Sequence, residues 1–336
     1  MLEEASSAPD AVAGQLQRNA ALLHELGGRI RALSPRLVLT CARGSSDHAA
    51  TYGKYLIERF AGVPTASFAP SISSVYARRQ SLQGGLFIAL SQSGRSPDIL
   101  SAAQAAADGG ALVLAIVNEA DSPLAGVADV VVPVHAGPER SVAATKSYIG
   151  TLTALVGLVA AWTRDDGLGD ALRDVPQRLR EAWRLDWSQA VAPLLEAGSL
   201  FVVGRGLGLG IAQEAALKFK ETCRLHAEAY SAAELRHGPI AIVEAGFPVL
   251  VLTQADETRD GVGSVIDELA GLGARVIAAG TEHENAVNLP TLRTVAPPLE
   301  PILFVQSFYR MVGALAVARG CDPDNPPHLR KVTETR

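Results

Sequence analysis

The sequence predicts an α/β protein built from two tandem, mostly parallel sheets flanked by helices, and three observations carry that prediction. Short apolar runs recur along the chain, each followed by a glycine- or serine-rich turn and then a stretch of helical period. Strands alternating with helices are the pattern of a parallel sheet covered on both faces. The second half also repeats the first: a shift of 162 positions lays Leu90-Ser91-Gln92 on Leu252-Thr253-Gln254, Asp98 on Asp260 and Gly109 on Gly271, without a gap. Upstream, Arg43-Gly44 answers Arg205-Gly206.

Taken in order, an amphipathic helix is expected from about Ala8 to Leu26, then a short strand from Leu37 to Cys41. The turn Arg43-Gly-Ser-Ser-Asp47 opens a helix through about Glu58. Strand Leu86–Leu90, turn Ser91–Asp98 and an alanine-rich helix to Gly109 follow, then strands Ala111–Val117 and Val130–Val134 and an apolar helix from about Ala143 to Trp162. This predicts a helical segment over 1–36, a first domain over 37–166, a polar helical connector over 167–188, a second domain over 189–320 and a tail over 321–336.

The 336 residues, 48% hydrophobic and 19% charged, suffice for two domains of ordinary size. The apolar run Ile149–Trp162 is shorter than the roughly 20 residues that cross a bilayer, and Met1-Leu-Glu-Glu4 lacks the basic start of a secretion signal. A cytoplasmic protein without a membrane partner is the expectation. A net charge of −5 with no basic block argues against nucleic acid. Cys41, Cys223 and Cys321 have no paired spacing, so neither a metal site nor a disulfide framework is expected, and the thiols read as buried or idle. Only five of the 30 basic residues are lysine: Lys54, Lys146, Lys218, Lys220 and Lys331. A lysine with a lowered pKa can act as a base or form an imine, which arginine cannot; a compositional bias toward arginine explains the same count.

The turn Ser91-Gln-Ser-Gly-Arg-Ser-Pro-Asp98 follows a buried strand and opens a helix, which is the shape of a phosphate pocket. Backbone N–H groups at a helix start lack partners, the dipole favours an anion there, and Ser91, Ser93 and Ser96 can add hydroxyl donors. Gly44-Ser45-Ser46 supplies a second such turn, and the carboxyl ends of strands are where open α/β sheets bind ligands. Serines also simply cap helices, each contributing about 1 kcal/mol; two clusters at matching strand ends favour the anion. Where the first copy has Ser93-Gly-Arg-Ser96 the second has Ala255-Asp-Glu-Thr258, whose carboxylates would repel a phosphate, so only the first copy is expected to bind one. The glycine string Gly204–Gly210 lacks the surroundings of a dinucleotide fingerprint.

In the second copy Glu214, Lys218 and Glu221 stand at i, i+4 and i+7 on one helical face. Such a ladder can be a solvated ion-pair stripe worth about 0.2–0.5 kcal/mol per pair. The apolar neighbours Ala215, Ala216, Leu217 and Phe219 favour the other reading, charges meeting a cavity, where a carboxylate can carry a proton. Downstream, His226–Tyr230 and Glu234–Pro239 form a polar stretch in which His237 precedes a Gly-Pro turn; a loop histidine is either a surface group or a catalytic one.

Arg-Gly-Ser-Ser-Asp-His from Arg43, Ser-Gln-Ser-Gly-Arg-Ser-Pro-Asp-Ile-Leu from Ser91, Val-Ala-Ala-Thr-Lys-Ser from Val142 and Lys-Val-Thr-Glu-Thr from Lys331 together resemble proteins with two sugar isomerase (SIS) domains, from about Leu37 onward. The chain resembles the isomerase half of glucosamine-6-phosphate synthase, and still more the stand-alone SIS-type glucosamine-6-phosphate deaminases. That resemblance implies flavodoxin-like αβα sandwiches and a reaction of glucosamine 6-phosphate with water giving fructose 6-phosphate and ammonia, with no cofactor. It implies that Gly44, Ser45, Ser46, Ser91, Gln92, Ser93 and Ser96 grip the sugar phosphate and that the Val142 loop contacts the sugar. Glu221 would move the proton between C1 and C2, Lys218 would assist near the C1 oxygen, His237 would open the ring from the other subunit of a homodimer, and Lys331 would form an imine. The synthase has a cysteine where this chain has Arg43. About 36 residues precede the first strand, with no cysteine among them, so the expectation is ammonia release rather than delivery from glutamine. The rivals are a galactosamine-6-phosphate or fructosamine-6-phosphate deaminase or deglycase, and a non-catalytic sugar-phosphate sensor, against which the absence of a preceding DNA-binding segment and the set Lys218, Glu221, His237 and Lys331 both speak.

Overall fold

The computed structural model describes residues 1–331; Val332–Arg336, the rest of the motif that begins at Lys331, lie outside the described residues. In chain order the helices and strands are α1 (Leu2–Ser6), α2 (Ala8–Leu33), β1 (Val38–Cys41), α3 (Ser45–Ala61), β2 (Thr65–Ser67), α4 (Ser71–Ser74), β3 (Leu86–Ser91), α5 (Pro97–Asp108), β4 (Leu112–Val117), α6 (Pro123–Val127) and β5 (Val130–Pro133). They continue as α7 (Lys146–Thr163), α8 (Asp166–Arg184), α9 (Val191–Leu195), β6 (Ser199–Gly204), α10 (Leu207–Cys223), β7 (His226–Ser231), β8 (Pro248–Leu252), α11 (Arg259–Gly271), β9 (Arg275–Ala279), β10 (Val287–Leu289) and α12 (Glu300–Ala318). Two compact units result. The first holds Asp10–Glu139, Lys146–Arg173 and the described end of the chain from Arg330; the second holds Met1–Pro9, Arg140–Thr145 and Asp174–Leu329.

In the first unit a five-stranded, wholly parallel sheet runs β2-β1-β3-β4-β5. Strands β3 and β4 are continuous apolar runs because both faces are covered: Leu86–Leu90 and all of β4 are buried. Phe68 and Phe87 meet edge to face at 5.3 Å in its core. Helix α7 is apolar all round and buried along nearly its whole length, as a helix without a solvated face must be.

The second unit repeats this order strand for strand. Its parallel sheet runs β7-β6-β8-β9-β10, so β6 to β10 stand as β1 to β5 do. The duplication read from sequence is therefore one of topology, and it extends to backbone angles: Gly44 (φ 54°, ψ −133°) and Gly206 (φ 58°, ψ −127°) open α3 and α10 in the same positive-φ conformation. Residues 297–318 are long and apolar enough to cross a membrane by composition, but most of that stretch is buried as a core helix of this unit.

Three differences from the sequence reading have local causes. The edge strands β2 and β10 are three residues each, too short to leave a period. Residues 226–231, read as part of a polar stretch, form edge strand β7: Ala227 is buried while His226 and Glu228 face solvent. The apolar helix begins at Lys146 rather than near Ala143, because the carboxylate of Glu139 caps its first turn by accepting hydrogen bonds from the Ser147 N–H and hydroxyl.

Candidate active site

Two turns of the first unit lie side by side. Strands β1 and β3 pair from Val38–Leu86 to Cys41–Ala89, so Ala42–Gly44 and Gln92–Ser96 leave neighbouring strands at their carboxyl ends. This is where the strand order reverses, the position at which open parallel sheets leave a crevice. The first turn needs glycine for its backbone angle, since a Cβ on Gly44 would meet nothing within 4 Å. The second needs it for both reasons: Gly94 has φ 62°, and a Cβ there would run into the Ser122 side chain. The Ser91 hydroxyl accepts from the Gly94 N–H at 2.9 Å and the Ser93 hydroxyl from the Arg95 N–H at 3.4 Å, which shapes the turn from within. Ser96 is the N-cap of α5, with Pro97 behind it. Ser45, Ser46, Ser91, Gln92, Ser93 and Ser96 are half-buried and Gly44 is exposed. An ion pair joins the turns, Arg43 Nε and Nη2 both reaching Asp98 Oδ2, at 2.9 and 2.8 Å. Under the same turns burial pushes the Cys41 thiol up to about 12, with Arg43 opposing and Asp98 and Asp47 adding to the shift.

The corresponding turn of the second unit is closed on itself. Gln254 Nε2 donates to the Arg205 carbonyl at 2.9 Å, to Asp256 Oδ2 at 3.0 Å and to the Thr258 hydroxyl at 3.1 Å. The crevice equivalent to the hydroxyl turns thus carries a carboxylate.

Helix α10 brings Glu214, Lys218 and Glu221 into one contact set. Lys218 Nζ lies 3.0 Å from Glu214 Oε1 and 2.7 Å from Glu221 Oε2, and the Tyr309 hydroxyl of α12 donates to Glu214 Oε1 at 3.1 Å. The side chains of Lys218 and Glu214 are wholly buried and that of Glu221 is 18% exposed. The solvated-stripe reading is thereby set aside: two of the three charges are sealed and only Glu221 keeps contact with solvent. Burial alone would depress the lysine, but the carboxylates of Glu214 and Glu221 outweigh it and hold the ammonium well above the ordinary lysine range. Lys218 is therefore a fixed cation and hydrogen-bond donor, not the lowered-pKa base or imine former that the scarcity of lysine allowed.

The remaining predicted residues are placed separately. His237 ends a 3-10 turn (Glu234–His237) after β7; it is exposed and its ring makes no hydrogen bond among the described residues. Val142 is half-buried in the Arg140–Thr145 segment of the second unit, where Glu4 accepts from the Ser141 N–H at 3.3 Å. Lys331, in the first unit, lies 3.1 Å from Glu139 Oε2. Glu139 was not legible in the sequence as a site residue. Its side chain is fully buried, and the same carboxylate accepts from the Ser147 N–H at 3.1 Å and hydroxyl at 2.6 Å. The available signal, an acidic residue seven positions before Lys146, has no helical or strand period to mark it. Among the described residues no group of three or more His, Cys, Asp or Glu side chains is arranged to hold a metal ion.

Comparison with known proteins matches the SIS domain profile to residues 34–161 and 193–317. Glutamine–fructose-6-phosphate aminotransferase (isomerizing) of Thermococcus kodakarensis is 33% identical, over 98% of this chain and 57% of its own length. The enzyme of the same name from Leifsonia xyli is 34% identical over 98% of this chain and 58% of its own. The chain thus spans a little over half the length of these relatives. Among solved structures, a protein of Silicibacter pomeroyi assigned as a phosphosugar isomerase superimposes with a TM-score of 0.93 at 44% identity, over 96% of this chain and 99% of that one. The C-terminal domain of glucosamine-fructose-6-phosphate aminotransferase from Francisella tularensis gives 0.85 at 26% identity, over 97% and 98%. A glucosamine-6-phosphate deaminase of Thermotoga maritima, at 22% identity and a TM-score of 0.79 over 99% of both chains, shares the fold.

Proposed function

The chain belongs to the SIS domain family, and from that premise we propose that it is an aminosugar-phosphate deaminase/isomerase that converts glucosamine 6-phosphate and water to fructose 6-phosphate and ammonia. The observation that carries this reading is the pair of hydroxyl turns at adjacent strand ends of the first unit, a cradle of N–H and O–H donors suited to a phosphate monoester. The carboxylate–ammonium–carboxylate set on α10 supports the proton chemistry.

In this reading Gly44, Ser45, Ser46, Ser91, Gln92, Ser93 and Ser96 hold the phosphate and the Val142 loop contacts the sugar. Phosphate binding far from the reacting carbons keeps the open chain in place. His237 opens the ring; its exposure and the lack of a hydrogen bond to its ring among the described residues support a role completed by the second subunit of a homodimer. Glu221 takes the proton from C2 and returns it to C1, turning the aldose amine into a C2 imine, while the Lys218 ammonium stabilises charge on the C1 oxygen. Water adds to the imine carbon and the C–N bond breaks, with ammonia as the leaving group. Lys331 serves the ketose side by a parallel route: its amine adds to the C2 imine and displaces ammonia, and water then hydrolyses the lysine imine to the ketose and the free amine. None of these steps calls for a metal or redox cofactor.

The test is ammonia release on a panel of aminosugar phosphates that includes the C4 epimer, galactosamine 6-phosphate, and fructosamine 6-phosphate. Glu221→Gln should lower turnover of the preferred substrate by about 10²–10⁴-fold and leave phosphate-dependent binding intact. Binding without ammonia release across the whole panel would make the chain a sensor.

A further inference from the structure

The hydroxyl turns contain an electrostatic conflict that the assigned residues do not resolve. Asp98 stands in the first turn of α5 with its side chain 2% exposed, and Asp47 stands half-buried in the first turn of α3. A carboxylate is favourable at an empty helix start, but it repels an anion arriving at the same place. The donors assigned to the cradle are neutral, and the other cation of the turns, Arg95, is exposed and makes no ion pair with either carboxylate among the described residues. Arg43 is the cation set against both: it lies 2.8 Å from Asp98 Oδ2, and it pulls down the Asp47 carboxyl that burial has raised, as His48 does. Its guanidinium has five N–H donors in a planar fork. Nε and Nη2 are spent on one carboxylate oxygen, Nη1 has no partner among the described residues, and the side chain remains 51% exposed.

We infer that Arg43 is a phosphate-binding residue which cancels the Asp98 charge between the two turns and offers its remaining N–H groups to the phosphate monoester. The inference rests on the proposed reading of the cradle as a phosphate site. It explains how a chain with a net charge of −5 holds an anion without a basic patch.

The experiment is titration calorimetry of fructose 6-phosphate and of inorganic phosphate with the full chain. Arg43→Ala should weaken both at least tenfold, because it leaves the Asp98 carboxylate facing the ligand. Asp98→Asn alone should change affinity by less than threefold, and the double variant should recover most of the loss. A merely structural role would show in the melting temperatures without ligand, so recovery of affinity among variants that melt as the wild type does is what separates charge cancellation from it. A folded Arg43→Ala protein with affinity within twofold of wild type, or a double variant no tighter than Arg43→Ala, overturns the inference. Should Arg43→Ala fail to fold, Arg43→Gln decides: it keeps a polar side chain but not the charge, and wild-type affinity in it overturns the inference. Failure of the wild-type chain to bind either probe refutes the phosphate cradle itself, and is thereby distinguished from failure of Arg43 alone.

Discussion

Replacing Lys218 by methionine tests the α10 charge set as a stability element independently of catalysis. Methionine keeps a long flexible side chain, so the cavity contribution is small. What is lost is the cation that neutralises Glu214, fully buried, and Glu221, 18% exposed. The Tyr309 hydroxyl still donates to Glu214, but one neutral donor does not balance a buried carboxylate. Breaking a buried pair by removing one partner costs about 3–5 kcal/mol, which for a unit of this size lowers the melting temperature by roughly 6–20 °C. The pH dependence has a defined sign. The folded ammonium's pKa is raised, so its contribution is fully present below the unfolded lysine pKa of about 10.4 and is lost only as pH rises beyond it. Between pH 6 and 9 the wild-type protein should therefore show no loss from this group. Scanning calorimetry of both proteins across that range reads each effect. The double variant Lys218→Met/Glu214→Gln should regain part of the loss. A single variant that melts within about 2 °C of wild type at pH 7.5 would refute the account of a sealed, mutually dependent charge set.

Gly94→Ala places a Cβ against the Ser122 side chain and forces a positive φ on alanine; overpacking and backbone strain together should cost about 1–3 kcal/mol and weaken phosphate binding, read by chemical denaturation and calorimetry, whereas Gly44→Ala should strain the backbone without a clash. The Cys41 and Cys223 thiols are pushed up to about 12 and about 11, chiefly by burial, so neither holds appreciable thiolate at pH 8, and a thiol reagent should modify Cys321 first and the other two only after denaturant is added. Fast modification of two thiols in the native protein would contradict that burial.

The sequence carried what is local. A buried strand, a glycine-serine turn and a helix start are each encoded within about ten residues, which is why β3, Ser91–Ser96 and α5 were legible to within a residue or two. The register between copies was legible because duplication preserves spacing, and the matching angles of Gly44 and Gly206 show the same backbone solution kept in both. The edge strands were not legible, since a three-residue strand is specified by the neighbour it pairs with.

By itself the sequence determined the α/β class, the tandem repeat and the two glycine-serine turns at strand ends, because each follows from short-range pattern. Only the tertiary structure decided that turns some 50 residues apart become neighbours through β1–β3 pairing, that Arg43 spans them to Asp98, that Lys218 is a sealed ammonium and that Glu139 holds Lys331. The physical reason is common to all four. The charge state and reach of a polar group depend on what is brought within a few ångströms of it from distant parts of the chain, and on how much water that approach removes.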